Sequence, residues 1–193
     1  MSFRKLPGTA AWRHGDGREG FEVVSITVSD ASYRLDGHTA AAEGGQAWVV
    51  RYVISLDEDW ITTGARVWGW SSTGQRELWV ESDGPGRWLV NGSPAPEYDG
   101  CIDVDLESSS VTNTIPVHRL ELVVGQSAEV PAVYVRALDL GLERLDQHYL
   151  RVEDDGAHQR YDYSAPDFGF TSQLIYDEFG LVLEYPGIAS RVL

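Results

Sequence analysis

Short runs in which apolar and polar residues alternate recur along the whole chain, separated by Gly, Asp-Gly and Asn-Gly. A period of two is typical of β-strands, because successive side chains point to opposite faces of a sheet. Strands punctuated by tight turns indicate an antiparallel protein. The pattern predicts strands over the following ranges: Phe21–Val28, Gln46–Ser55, Trp60–Ser71, Arg76–Val80, Arg87–Val90, Ile102–Leu106, Val117–Val124, Ala132–Leu138, Leu145–Val152, Gln159–Tyr163, Phe170–Tyr176 and Leu181–Tyr185.

Turn residues separate these runs. Asp-Gly and Asn-Gly pairs tolerate the positive φ angles of tight hairpins. They predict turns at Asp36-Gly37, Asp83-Gly84, Asn91-Gly92, Asp99-Gly100 and Asp154-Asp155-Gly156. The segment Asp83–Gly86 lies between two apolar runs and predicts a hairpin. Helical signal is scarce: Gly141–Tyr149 fits a turn or two, and 30–43 fits a short helix or a loop.

Composition supports a single sheet-rich domain. The chain has 193 residues, enough for one domain that spans 1–193. Seven Trp, nine Tyr and five Phe accompany a single Met, which favours stiff, β-prone walls over an adaptable Met-rich groove. We therefore predict a mainly β protein with little helix.

The charge narrows the choice of partners. A formal net charge of −15 repels phosphates, so we expect no nucleic-acid partner. The same charge disfavours docking on an anionic membrane, whereas a neutral ligand feels little of it. No apolar run reaches the roughly 18 residues of a membrane span, and the first residues lack the apolar region of a signal peptide. We expect a cytoplasmic protein with no stable membrane insertion.

The residues that usually hold metals or cofactors are sparse. The single Cys101 rules out an internal disulfide and a Cys-rich zinc site. The five His residues show no ligand spacing, and no phosphate-cradling Gly-rich loop is present. We expect neither a metal nor a cofactor, and we interpret Cys101 as a small core residue.

An acidic strand contains the most specific chemistry. In the run ending at Leu106, the period of two places Cys101, Asp103 and Asp105 on one face and apolar residues on the other. A second alternating run follows over Val117–Val124. If the two runs pair as strands, Arg119 lies near Asp103 or Asp105.

These carboxylates allow three interpretations. Arg119 neutralises a partly buried Asp pair, which is costly to leave uncompensated. Alternatively, Asp103 and Asp105 are polar cavity walls that accept hydrogen bonds from ligand hydroxyls. In the third interpretation they share a proton or bind a hard cation. Pro116 favours extended backbone in the residue before it, which agrees with a strand over Val117–Val124.

The Trp residues exceed what one small sheet usually buries. Six of them lie within one stretch of the chain, and Trp68 and Trp70 share a strand face. Core packing accounts for most of them. A concave aromatic surface that encloses an apolar or amphipathic ligand accounts for the surplus.

Two blocks carry a family resemblance. Asp99–Leu106, followed by Val111–Leu120, resembles the signature of the bacterial family described as putative glycolipid-binding. Glu77–Trp79, Gly86–Trp88 and Asp177–Arg191 also fit, so the resemblance covers most of the chain.

The resemblance implies a spiral β-roll, a long antiparallel sheet curled like a half-barrel around a central cavity. The family's role, binding a glycolipid or related amphiphile, rests on that shape. It brings no assigned catalytic residues to this chain. The positions that match its pattern are Asp99, Asp103, Asp105, Thr112, Asn113, Arg119, Tyr185 and Arg191.

The leading hypothesis is non-enzymatic binding of an amphiphile. In this hypothesis Asp103, Asp105, Asn113 and Arg119 engage the polar headgroup. The apolar or sugar faces are contacted by Trp68, Trp70, Trp79 and Trp88.

Two alternatives belong to other classes. One is a hydrolase that cleaves a glycosidic or ester bond with Asp99, Asp103, Asp105 and Arg119. The other is a structural or oligomerisation module, in which the aromatic surplus marks a subunit interface. The sequence leaves the oligomeric state open.

Overall fold

The computed structural model describes residues 3–15, 17–29, 31–83 and 86–193. The strands are β1 (Thr9–His14), β2 (Arg18–Ser29), β3 (Ser32–Glu43), β4 (Gln46–Asp57), β5 (Thr62–Ser71), β6 (Gly74–Ser82), β7 (Trp88–Val90), β8 (Ser93–Pro94), β9 (Asp103–Leu106), β10 (Ser127–Glu129), β11 (Ala132–Val135), β12 (Leu142–Leu145), β13 (His148–Asp155), β14 (His158–Ala165), β15 (Phe170–Tyr176), β16 (Val182–Tyr185) and β17 (Ala189–Arg191). The helical elements are α1 (Thr114–Leu120) and 3-10 turns over Pro96–Tyr98, Val111–Asn113 and Pro166–Phe168.

The described strands form two sheets. The large sheet has fourteen strands in the order β10-β13-β14-β15-β16-β17-β1-β2-β3-β4-β5-β6-β7-β8, and its edge strands β10 and β8 are not paired with each other. The small sheet has the order β12-β11-β9, with β9 parallel to β11. The predicted mainly β class, with a curved antiparallel sheet and little helix, is confirmed.

The first and last strands meet inside the large sheet. β1 pairs with β2 on one side and with β17 on the other, where Trp12 lies opposite Arg191. The indole of Trp12 is fully buried and donates a hydrogen bond to the Val182 carbonyl at 2.7 Å. This junction, which we call the β1–β17 seam, joins a meander of β1–β8 to a second meander of β13–β17.

The small sheet and α1 cover one face of the large sheet. Trp12 and Tyr52 of the large sheet share a buried cluster with Val104, Ile115 and Val133. We call the covered face of the large sheet its inner face. Alternation along each strand then leaves the other face of β2–β6 to solvent, as the burial patterns of these strands show.

Several predicted elements are confirmed. Phe21–Val28, Gln46–Ser55, Arg76–Val80 and Phe170–Tyr176 lie within observed strands. The predicted hairpin is present, because β6 pairs antiparallel with β7. At its tip, Gly84 and Pro85 lie outside the described residues.

The prediction of a short helix or loop over 30–43 is wrong. β3 is a twelve-residue strand, and the predicted turn at Asp36-Gly37 lies in its middle. Gly37 leaves room for a neighbouring side chain, because a Cβ there would overlap the Tyr52 ring. The Tyr52 hydroxyl can therefore reach the buried Glu22 carboxylate, to which it donates at 2.5 Å.

The predicted strand over Val117–Val124 is also wrong. Residues 114–120 form α1, and Pro116 lies in its first turn, where its missing N–H costs no helical hydrogen bond. The helix ends at Glu121, which has a left-handed φ of 45°. The weak helical signal over Gly141–Tyr149 is likewise wrong, because β12 and the start of β13 occupy that range.

Candidate functional site

The acidic strand β9 is buried on both faces. Asp103 and Asp105 are 3% and 8% exposed, and Val104 and Leu106 between and after them are core residues. The expectation that one face is acidic and the other is core holds, but the acidic face also points into the protein. Each carboxylate there therefore needs a partner, since an unpaired buried charge is costly.

Arg119 is the partner of Asp103. Its Nη2 donates to Asp103 Oδ2 at 2.5 Å, so the predicted contact exists although Arg119 lies on a helix rather than a strand. The Oδ1 atom of Asp103 has no hydrogen-bond partner among the described residues. Burial raises the pKa of Asp103, and the nearby Arg119 guanidinium opposes that rise.

Asp105 is held by neutral donors. The Thr112 hydroxyl donates to Oδ1 at 2.7 Å, and the Gln147 amide donates to Oδ2 at 2.7 Å. Burial raises the pKa of Asp105 from 3.8 to about 6. Thr112 thus positions Asp105, and near neutral pH this carboxyl group readily changes protonation state.

Asn113 continues the same network from the 3-10 turn before α1. Its side-chain oxygen accepts a hydrogen bond from the Tyr149 hydroxyl at 2.8 Å, and its carbonyl accepts one from Tyr176 at 3.0 Å. Asp105, Thr112 and Asn113, three positions of the family pattern, are therefore brought together.

Five tyrosines of the second meander line the inner face beside this network. We call the set the tyrosine cluster: Tyr149, Tyr161, Tyr163, Tyr176 and Tyr185. Their buried rings pack edge to face, with centroids 5.1–6.4 Å apart. Of these five residues, the sequence analysis singled out only Tyr185. A signal was present in Tyr161 and Tyr163, which alternate with polar residues on one predicted strand.

A cavity of about 230 Å³ lies between β9 and the tyrosine cluster. Asp105, Asn113, Tyr163 and Tyr185 line it, so three residues of the predicted site meet there. The remaining lining comes from Arg18, Leu106, Glu107, Ser109, Tyr134, Leu145, Ala165, Phe168, Phe170 and Ile188. The cavity combines aromatic walls with a few polar groups, as ligand sites commonly do.

Charges at the cavity wall compensate one another. Arg18 forms ion pairs with Glu43 at 2.9 Å and with Glu107 at 3.5 Å. Arg136 pairs with Glu143 at 2.7 Å and stacks over Tyr134 and Phe168. Because the cations already have anionic partners, the cavity presents no free positive charge from these two arginines.

Glu22 is a buried carboxylate that the sequence analysis did not single out. It accepts hydrogen bonds from Tyr52, from the Ser109 hydroxyl and from the Ser110 N–H, the last at 2.7 Å. Burial raises the pKa of Glu22. The residue anchors the polar loop over 108–110, which leads into the turn that presents Thr112 and Asn113.

The predicted Trp residues do not line this cavity. Trp68, Trp70 and Trp79 lie on the uncovered face of β5 and β6, and Trp68 is flanked by Arg51 and Arg66 at about 5.0 and 5.1 Å. Trp68 and Trp79 line a separate open groove of about 390 Å³ on this uncovered face, so they do not form the wall of the cavity beside Asp105. Alternation along β5 and β6 explains why these Trp side chains point outward, because the positions that point inward are occupied by small or aliphatic residues such as Val67.

Trp88, Asp99 and Arg191 lie apart from the cavity as well. Trp88 is buried and donates to the Cys101 carbonyl at 2.9 Å, while the exposed Asp99 lines a separate surface pocket beside it. Arg191 pairs with Asp177 at 2.6 Å and stacks over Trp12 at the seam. Cys101 is a buried core residue as predicted, and burial raises its pKa to about 11.

A second, larger groove of about 730 Å³ lies beside the C-terminal end of α1. Arg119 lines it together with a ring stack of Tyr33, Trp60 and His118, whose centroids are 4.3 and 4.0 Å apart. Trp60 has a left-handed φ of 63°. Arg119 lines this groove, whereas Asp105 and Asn113 line the cavity, so the predicted headgroup residues do not face one ligand space.

The carboxylates proposed for a hydrolase are also dispersed. Asp99 is exposed, Asp103 is bound to Arg119, and Asp105 lines the cavity. Three groups in three surroundings do not flank one scissile bond. Across the described residues, no group of three or more His, Cys, Asp or Glu side chains is arranged to hold a metal ion.

Comparisons with known proteins complete this description. The family model described as "Putative glycolipid-binding" matches residues 9–191. The crystal structure of a DUF1089 family protein from Pseudomonas aeruginosa is similar, with 30% identity and a TM-score of 0.75 over 98% of this chain and 95% of that chain. No curated protein matches the chain. No helix in the described part of the chain is long and apolar enough to span a membrane.

Proposed function

Because this chain belongs to the family described as "Putative glycolipid-binding", we propose that it binds the sugar headgroup of a glycolipid or related amphiphile. The proposed site is the cavity between β9 and the tyrosine cluster. The observation that carries this proposal is the meeting of Asp105 and Asn113 with Tyr163 and Tyr185 around one half-open cavity.

The chemistry of these side chains suits a sugar. Carboxylate and amide oxygens accept hydrogen bonds from hydroxyl groups, and aromatic rings pack against the apolar faces of a pyranose. Asp105 keeps acceptor capacity beyond its bonds to Thr112 and Gln147, since an ionised carboxylate has about four lone-pair sites. Thr112 and Gln147 hold that carboxylate in place before the ligand arrives.

The size of the cavity limits what it encloses. Its volume of about 230 Å³ is below the roughly 300–1,000 Å³ of pockets that enclose a whole drug-sized ligand. We therefore assign it the headgroup and not the acyl chain. The acyl chain would leave the cavity past Phe168, Phe170 and Ile188, which form the apolar part of its lining.

The remaining predicted residues take supporting roles in this proposal. The Asp103–Arg119 pair attaches α1 to β9 and so fixes the turn that carries Asn113. Arg191 stabilises the seam. Trp68, Trp70, Trp79, Trp88 and Asp99 have no role in headgroup binding.

Native mass spectrometry with octyl β-glucoside tests the proposal. We expect the wild-type protein to bind it and Asp105→Asn to bind at least about tenfold more weakly, equivalent to about 1.4 kcal/mol. Asp36→Asn serves as the matched control, because Asp36 lies on the uncovered face of β3. Octanol provides a ligand control that has the same alkyl chain without the sugar.

Three outcomes would contradict the proposal. The wild-type protein could fail to bind the glucoside, could bind octanol equally well, or could keep its affinity in Asp105→Asn. A mass excess that is carried through purification and lost after organic extraction would name the natural ligand directly.

A further inference from the structure

The uncovered face of the large sheet carries a group of large apolar side chains that packing within the chain does not explain. We call this group the outer patch: Phe21, Val23, Val49, Trp70 and Trp79. Each side chain is between 38% and 53% exposed. Exposed apolar residues scattered singly are ordinary, whereas a contiguous patch marks an interaction surface.

Strand register makes the patch contiguous. Phe21 lies opposite Ala40, Ala40 opposite Val49, and Val49 opposite Trp70, so one apolar row crosses β2, β3, β4 and β5. Residues directly opposite on neighbouring strands have Cβ atoms about 5 Å apart. Trp79 continues the apolar surface on β6, beside Arg66.

Arginines and carboxylates alternate around the outer patch and form ion pairs within the face. Arg34 and Arg51 both approach Asp36, at 3.5 and 3.6 Å, and Arg66 pairs with Glu77 at 2.5 Å. The whole molecule has a net charge of −15. Because positive side chains are present on this face, two acidic molecules meet less local repulsion here than their net charge implies.

The β2–β6 face is large enough to accommodate a stable dimer interface. Strands of up to twelve residues, at about 3.3 Å per residue and about 4.8 Å between strands, give the β2–β6 face about 800 Å². Specific interfaces typically bury about 800 Å² on each partner.

From these observations we infer that the outer patch binds the same patch on a second copy of this chain. The interface is isologous, with Phe21, Val49 and Trp70 near its centre and the arginine–carboxylate pairs at its rim. It lies on the face of the sheet opposite the cavity and does not depend on headgroup binding.

Sedimentation velocity over about 1 to 100 μM protein tests this inference. We expect the wild-type protein to be a dimer with a Kd below about 10 μM, and Val49→Lys to raise that Kd at least tenfold. Val123→Lys is the matched control, because Val123 is 61% exposed in the loop after α1 and lies off the patch. It should leave the dimer unchanged.

Val23→Lys repeats the test at a second position of the patch, in case Val49→Lys fails to fold by circular dichroism. A wild-type protein that stays monomeric at the highest concentration overturns the inference. So does a dimer that both Lys variants leave intact. A monomer that instead co-sediments with phosphatidylcholine vesicles would also overturn it and identify a lipid surface as the occupant.

Discussion

At the scale of single residues, Asp105 shows how the fold gives a carboxylate an environment that differs from that of a near neighbour in the sequence. It accepts hydrogen bonds from Thr112 and Gln147 and has no ion-pair partner within the described ranges. Asp103, two residues earlier, is neutralised by Arg119. The two carboxylates look equivalent in the sequence, and their surroundings in the fold give them different roles.

The pKa of Asp105 gives a prediction with a definite sign. Its pKa is about 6 in the folded state against 3.8 ordinarily, so the folded protein binds the proton more tightly than the unfolded chain. Asp105 therefore stabilises the fold below about pH 3.8, and this contribution is lost as the pH rises through 6. The loss amounts to about 3 kcal/mol at 1.36 kcal/mol per pKa unit.

Urea unfolding of the wild type and Asp105→Asn at pH 4 and pH 7.5 measures this effect. We expect the variant to gain up to about 3 kcal/mol relative to the wild type between the two values. His14 and His118, whose pKa values burial lowers to about 4, impose the opposite pH trend on both proteins and cancel in the comparison. A difference between the two proteins that does not change with pH would refute the prediction.

At the scale of elements, strands with strict alternation were predictable and the acidic segment was predictable only in part. Val117–Val124 alternates like a strand, but residues 114–120 form α1, and β9 pairs with β11 instead. The contact between Arg119 and Asp103 was predicted from strand pairing and forms from a helix instead, because a buried carboxylate needs a compensating charge in either geometry.

β3 was missed for a different reason. Its inward positions are small, such as Gly37, Thr39 and Ala41, and they make room for large side chains from neighbouring strands. The sequence of β3 alone does not reveal the space beside Gly37, because the Tyr52 ring that occupies this space comes from β4. The tyrosine cluster escaped notice similarly, because its members come together only through the order of β13–β16 in the sheet.

The tie between α1 and β9 yields a prediction for these elements. Arg119→Met leaves Asp103 buried and uncompensated, which typically costs about 3–5 kcal/mol. The double variant Asp103→Asn, Arg119→Met removes both charges and should be the more stable of the two. Chemical denaturation of the wild type, the single variant and the double variant measures these differences. Equal stability of the single variant and the wild type would contradict the prediction.

At the scale of the whole molecule, the chain resemblance found in the sequence is confirmed by the family match and by the similar crystal structure. The mainly β class followed from alternation and turn residues. The order of the strands did not follow, because pairing between β1 and β17 depends on residues at opposite ends of the chain.

The β1–β17 seam leads to a prediction about the stability of the whole molecule. A chain that ends at Gly187 lacks β17, so β1 and β16 lose their shared neighbour and Trp12 loses the cover of Arg191. We expect this truncation to abolish the cooperative thermal transition by circular dichroism. Removal of Leu193 alone, which is 71% exposed, is the control and should keep the transition. An intact transition in the longer truncation would refute the prediction.

The same seam bears on how the protein folds in time. Within each meander, strands that follow one another pair with short loops, and such local pairs form quickly. The β1–β17 pair joins segments separated by almost the entire chain, and closing so long a loop costs the most entropy. The two meanders should therefore form first and join last, which makes the joining step the rate-limiting event of refolding.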